Sequence, residues 1–363
     1  MTDIRNDLTS PCDVPGTSLP PDTDATTLAR SVGLMVLHPL CVQTGRVRDA
    51  MAWLDRNGFR VFFLKELQLT GGHIRDLWRR EIPHRDGLRV EVFEKLLTWD
   101  RSLLLAVVDH VETPEPTTQR LSRLKGPSDP ALCVAGQLRM ALGAANLLNN
   151  LVHTSDAPAA VTREASVILE GDTQAFWSAA RRALGGRAPA VNPSGVPGAF
   201  DDGRGISLLH VALGYCRRLL HALVDETACE RCGHDGTPAA REWREACQKE
   251  AWLARQDARR PLETLMRYRS TGRACASRLA NGVICAHRAA VGPRTADLLK
   301  ALQGAESVLL GSAGPADPRD FLSLGLRAGV PADPREILVF MSEYAVVRTG
   351  GRVSSSESHT APQ

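Results

Sequence analysis

Lysine is scarce in this chain. Only five of the 44 basic residues are lysine: Lys65, Lys95, Lys125, Lys249 and Lys300. The arginine surplus, with abundant alanine and leucine, matches the codon bias of a GC-rich genome. An arginine cluster therefore carries less functional weight than usual. Charge imbalance is lacking too: 44 basic and 41 acidic residues leave a net charge of +3. That balance implies no polyanion partner, so nucleic acid is not expected. No apolar run reaches the roughly 18 residues of a membrane span. The first 30 residues carry no signal-peptide pattern; they are polar, with Pro11, Pro15, Pro20, Pro21 and several acids. They are read as a disordered leader. The nine cysteines are odd in number and scattered, which fits a reducing cytoplasm better than a disulfide framework.

The chain of 363 residues is 43% hydrophobic and long enough for two domains. Segment 32–39 is a short apolar strand, and 45–57 an amphipathic helix. Segment 59–69 is rich in strand formers. Helical stretches follow near 71–81 and 88–98. Residues 101–109 contain the buried-strand run LLLAVVD, and 144–152 lead as a strand into a loop holding His153. The order is βαββαβ, the ferredoxin-like arrangement of an α+β domain over 31–184. Segment 185–205 is rich in glycine and proline and marks a linker. Beyond it, 206–226, 238–258, 261–281, 293–311 and 318–328 are helical, giving an all-α domain over 206–348. Pro261, Pro293 and Pro334 sit at helix starts. Residues 349–363 form a polar disordered tail.

The chemistry concentrates in Asn150-Leu151-Val152-His153-Thr154-Ser155-Asp156, with Glu164 eleven residues past the histidine. Histidine is nucleophilic while neutral, and its ordinary pKa of roughly 6.5 leaves much of it neutral at pH 7. A carboxylate that holds one ring nitrogen fixes the tautomer and frees the other to attack. His153 is thus a candidate phosphoryl acceptor. Against it stands the plainer reading of a lone histidine bonded in a loop.

The order of segments from Gly33 to about Leu169 resembles nucleoside diphosphate kinase. Leu37-His38-Pro39-Leu40-Cys41-Val42-Gln43-Thr44-Gly45 stands where that family has Lys-Pro-Asp-Gly-Val-Gln-Arg-Gly. Asp49 to Phe59 is similar to its first helix and Gly-Phe strand opening. Trp78 matches the aromatic after the second strand. Leu124 to Pro130 is similar to the Leu-Gly-Glu-Thr-Asn-Pro loop, Gly136-Gln137-Leu138-Arg139 to Gly-Thr-Ile-Arg, and Asn150 to Asp156 to Asn-Ile-Ile-His-Gly-Ser-Asp.

The resemblance implies roles. His153 would carry the phosphoryl group, with Glu164 and Ser155 orienting it. Arg139, with Arg120 or Arg123, would clamp phosphates, and Ser128 would replace a phosphate-binding threonine. Asn150 would meet the ribose, and Phe93 would supply a base-stacking face. Phosphoryl transfer needs charge and donors around the equatorial oxygens, which arginine forks supply in pairs. The substrates would be nucleotides, with Mg²⁺ on the triphosphate, and the protein a cytoplasmic homo-oligomer. The departures are His38 for the family's lysine, Leu40 and Cys41 for Asp-Gly, and Thr154 for the glycine after the nucleophile. The expected activity is phosphotransfer through a phosphohistidine. The alternatives are a catalytically weak nucleotide sensor or scaffold, and a helical domain that carries the main activity.

Cys229, Cys232 and His234 place two thiols at CxxC spacing beside an imidazole, which suits tetrahedral zinc, with Cys216, His210 or Cys247 as a fourth ligand. No second CxxC accompanies them, and unligated loop thiols are the competing reading. The basic stretch Arg267 to Arg273, with one aromatic, suits contact with phosphate or nucleic acid, but a solvated helix face or a domain interface is the preferred reading.

Overall fold

A computed structural model describes residues 23–79, 81–82, 86–111, 113–186, 191, 208–227, 293–309 and 314–348. The zinc candidates Cys229, Cys232 and His234, the stretch 267–273, most of 185–205 and the tail 349–363 lie outside the described residues.

Four strands form one sheet: β1 (Val32–Leu37), β2 (Phe59–Leu67), β3 (Ser102–Asp109) and β4 (Val152–Thr154). Their order is β2-β3-β1-β4, and every neighbouring pair is antiparallel. That is the ferredoxin-like arrangement expected from the βαββαβ order. β1 is buried at every position, because strands flank both its edges and helices cover its faces. The unbroken apolar run of β3 has the same cause. Gly33 is required by packing: a Cβ there would lie 2.9 Å from Leu121, on the helix that crosses β1.

Helices of the first half are α1 (Thr23–Ser31), α2 (Pro39–Gln43), α3 (Val47–Arg56), α4 (Gly71–Leu77), α5 (Gly87–Thr98), α6 (Thr117–Lys125), α7 (Leu138–Ala141), α8 (Pro158–Ile168) and α9 (Gln174–Leu184). Local sequence explains several starts. Thr70 and His73 form a reciprocal capping box at α4. The Asp86 carboxylate accepts from the amides of Leu88 and Arg89 at α5. Pro39 and Pro158 occupy first-turn positions of α2 and α8, where no amide is needed.

Three expectations are corrected. The end of the polar leader is helix α1, because Leu28 and Ala29 bury a short face against the domain. The strand expected over 32–39 ends at Leu37, because Pro39 opens α2, whose Pro39, Leu40, Cys41 and Val42 are buried. His153 lies on a strand rather than in a loop, paired with Val36 of β1, and the strand starts only at Val152.

The described residues beyond the first half are helical: α10 (Leu208–Thr227), α11 (Pro293–Leu309), α12 (Pro318–Arg327) and α13 (Pro334–Arg348). Phe340 on α13 meets Tyr215 and Phe321 edge-on, and Arg218 donates to both oxygens of buried Glu336. α13 also packs on α5, so the apolar core runs from the sheet into these helices. Asn146 donates to Ser342 Oγ at 3.2 Å and to Glu343 Oε1 at 2.8 Å, while its own oxygen accepts from the amides of Leu148 and Asn149. The helical half therefore holds the segment that leads into β4.

Candidate active site

The site sits at the end of β1 and the start of β4. Leu151 precedes β4 with φ of 68°, a left-handed conformation that costs a leucine on the order of 1 kcal/mol or more. Its carbonyl accepts from the His38 amide at 3.0 Å, which ties the end of β1 to the start of β4. His153 then projects toward Glu164, on the helix that follows.

One oxygen of Glu164 takes two partners. His153 Nε2 lies 2.9 Å from Oε2, and Ser155 Oγ donates to the same atom at 2.7 Å. Arg163 donates to the other oxygen at 2.9 Å. Burial alone would raise the Glu164 pKa, but the His153 hydrogen bond and charge, the Ser155 hydroxyl and Arg163 together hold it below the ordinary value. A carboxylate so placed fixes the proton on Nε2 and leaves the Nδ1 lone pair for a ligand. The spacing of eleven residues thus brings Glu164 within hydrogen-bond distance of His153.

A cavity of about 600 Å³ opens beside the imidazole, a size that suits a small ligand. His38, Trp78, Phe93, Ser128, Arg139 and Asn150 all reach its wall. Three buried polar atoms on that wall have no protein partner: His38 Nε2, Arg139 Nε and Asn150 Oδ1. Such atoms are costly when dry and unpaired, so they fit a ligand or water in the cavity.

Other expected residues behave differently. Arg120 is not at the cavity: it binds Asp109 at 2.8 Å and the Asn57 carbonyl at 2.7 Å, and it covers the Phe59 ring. Its role here is to join α6 to the ends of α3 and β3. Arg123 points out to Glu115, 2.8 Å away, and does not line the cavity. Arg139 is buried, with its two terminal nitrogens donating to the carbonyls of Gly126 and Val152. Burial lowers its pKa to about 10. Phe93 is 4% exposed and packs edge-on against Trp78, so its ring lacks a free face for a base. His38 is neutral: burial first, then the charges of His153, Arg139 and Lys125, push its pKa well below the usual imidazole range.

Sequence reasoning gave Lys125 no role. It is the last residue of α6, where Gly126 turns the chain at φ of 92°. Its Nζ donates to Thr154 Oγ1 at 2.7 Å and to Asp156 Oδ1 at 3.4 Å, beside the cavity. The available signal was a lysine inside a matched motif of a chain that writes nearly all its cations as arginine.

No group of three or more potential metal ligands occurs among the described residues. No described helix is long and apolar enough to cross a membrane.

Residues 32–173 match the family model "Nucleoside diphosphate kinase". A nucleoside diphosphate kinase of Sorangium cellulosum is 29% identical over 139 residues, which are 38% of this chain and 90% of that protein. Among solved structures, the Aquifex aeolicus nucleoside diphosphate kinase aligns with TM-score 0.33 and 18% identity, over 38% of this chain and 94% of that one. The Borrelia burgdorferi nucleoside-diphosphate kinase with bound vanadate and ADP gives 0.33 and 16%, over 38% and 84%. These structural scores are low and carry no weight. The sequence match, by contrast, spans β1 to the end of α8 and includes His153 and Glu164. The likeness is thereby confined to one segment of the chain: residues 32–173 are similar to the nucleoside diphosphate kinase family.

Proposed function

We propose that the protein is a phosphotransferase that takes the terminal phosphoryl group of a nucleoside triphosphate onto His153 and passes it to a nucleotide or related acceptor. The observation that carries this reading is the imidazole held through Nε2 by Glu164, on the wall of a cavity whose lining also carries unpaired polar atoms. In the first half-reaction the Nδ1 lone pair attacks the γ-phosphorus. The P–N bond forms as the bond to the bridging oxygen breaks, and the diphosphate leaves with that electron pair. Glu164 stabilises the resulting imidazolium through Nε2–H. The second half-reaction reverses these bonds with the acceptor oxygen. Mg²⁺ enters with the triphosphate as part of the substrate. A homo-oligomer in the cytoplasm belongs to the same reading; the odd number of scattered cysteines supports the reducing compartment.

The second reading is a nucleotide-binding sensor with little turnover. It is favoured by the neutral His38 and by Arg120 and Arg123 being paired away from the cavity. Incubation with γ-labelled ATP decides between them. Label that survives base, is lost in acid and vanishes in His153→Ala supports phosphotransfer. Nucleotide binding without label supports the sensor.

A further inference from the structure

We propose that Lys125 supplies the cation that meets the transferring phosphoryl group, in place of the charge that His38 no longer carries. This rests on the phosphotransferase reading and names the group that makes it workable.

Phosphoryl transfer needs positive charge at the equatorial oxygens; besides Lys125 and Arg139 the cavity is lined by exposed Arg79 and by Arg163, which is engaged with the Asp76 carbonyl and Glu164. His38 is neutral where it stands, and Arg120 and Arg123 are bound elsewhere. Arg139 gives its terminal nitrogens to two backbone carbonyls, so only its Nε is unpaired. An ammonium has three protons. Lys125 directs two toward Thr154 and Asp156, which leaves one for the cavity that it lines beside His153.

Geometry then explains a second departure. Thr154 replaces the small residue after the nucleophile, and its hydroxyl is fully buried. That hydroxyl is what holds the Lys125 side chain. Lysine at 125 and threonine at 154 are thus two halves of one change, and neutral histidine at 38 is the third part. The charge of Lys125 is felt at His38, so a lysine at both positions would repel itself. Burial lowers the Lys125 pKa to about 8, opposed in part by Asp156 and Glu164, so it remains charged at neutral pH. An incoming phosphate would favour the charged form further.

The full chain is tested as wild type, Lys125→Gln and the double variant His38→Lys with Lys125→Gln. Glutamine keeps a donor for Thr154, and melting checks the fold. Labelling by γ-labelled ATP is measured with ATP and adenosine affinities. Lys125→Gln is expected to slow labelling by about 10²–10³, the loss typical of one transition-state donor. It should weaken ATP binding and leave adenosine binding unchanged, a split that a merely structural lysine would not give. The double variant should recover much of the labelling. Wild-type labelling and ATP preference in Lys125→Gln overturn the inference, as does a folded double variant that recovers nothing. The two readings fail separately. An unlabelled wild type whose ATP preference still depends on Lys125 refutes phosphotransfer while retaining Lys125 as the phosphate cation.

Discussion

The indole of Trp78 stands edge-on against the imidazole of His153, with ring centroids 4.8 Å apart and planes 65° apart. Phe93 backs the same indole at 5.0 Å and 88°. The His153 imidazole is therefore gripped on one side by Glu164 and on another by packed aromatics. Trp78→Ala should cost about 3–5 kcal/mol of stability, as for other large-to-small core changes. It should also slow labelling of the protein that remains folded, because the ring can then leave its attacking pose. Trp78→Phe should keep most of both. Denaturant titration with parallel labelling checks this; full-rate labelling in a folded Trp78→Ala would show that the indole only fills space.

Glu164→Gln separates geometry from charge. A glutamine can offer an amide proton to His153 Nε2, which moves the imidazole proton to Nδ1 and blocks attack. Labelling should fall by about 10²–10⁴. Acid stability should change as well. The Glu164 pKa is depressed in the folded protein, so its contribution is present above the unfolded value of roughly 4.3 and lost as pH falls through the lower folded value. The variant should lack that part of the acid transition, which melting between pH 3 and 7, on the order of the carboxylate range, would reveal.

The pH dependence of labelling should carry the Lys125 signature. Its pKa is near 8 rather than the ordinary lysine value, so the ammonium is lost as pH rises through about 8. The groups facing it are Arg139, Asp156, Glu164 and His38. Glu164 and Asp156 are already ionised in this range, His38 is already neutral, and Arg139 titrates only near 10. The apparent second-order rate constant of labelling should therefore decline above about pH 8. The decline at saturating nucleotide should come later, because bound phosphate holds the proton. Lys125→Arg should remove the inflection. A profile flat to pH 9.5, about one and a half units beyond, would exclude Lys125 from the charged step.

The apolar pattern of the sequence made most elements legible. The LLLAVVD run forms β3, and leucine and alanine stripes form the helices α8 to α12. The His153, Ser155 and Glu164 group was legible because its members are close in sequence. What failed depended on distant partners. Arg120 resembled a phosphate clamp, but the fold brings Asp109 and Asn57 to it. Lys125 drew no notice because its meaning comes from burial against Thr154, 29 residues away. α1 was hidden by its polar composition; among its described side chains, Leu28 and Ala29 mark the buried face.

Asn146 offers a last test, of how the helical half serves the site. Its side chain is buried and bridges Ser342 and Glu343 on α13 to the amides of Leu148 and Asn149. Asn150 and strained Leu151 follow directly, and His153 two residues later. Replacing Asn146 by alanine leaves two amides and a carboxylate without this partner. The expected cost is about 1–3 kcal/mol for groups stranded in the interior. Because the stranded amides precede β4, the loss should extend to labelling of His153, with the ATP-binding affinity reduced in step. Glu343→Gln retains an acceptor for Asn146 and should be milder on both measures. Asn146→Ala with lowered melting but normal labelling would mean that β4 is set by β1 pairing alone, and that α13 acts only as a cover for α5.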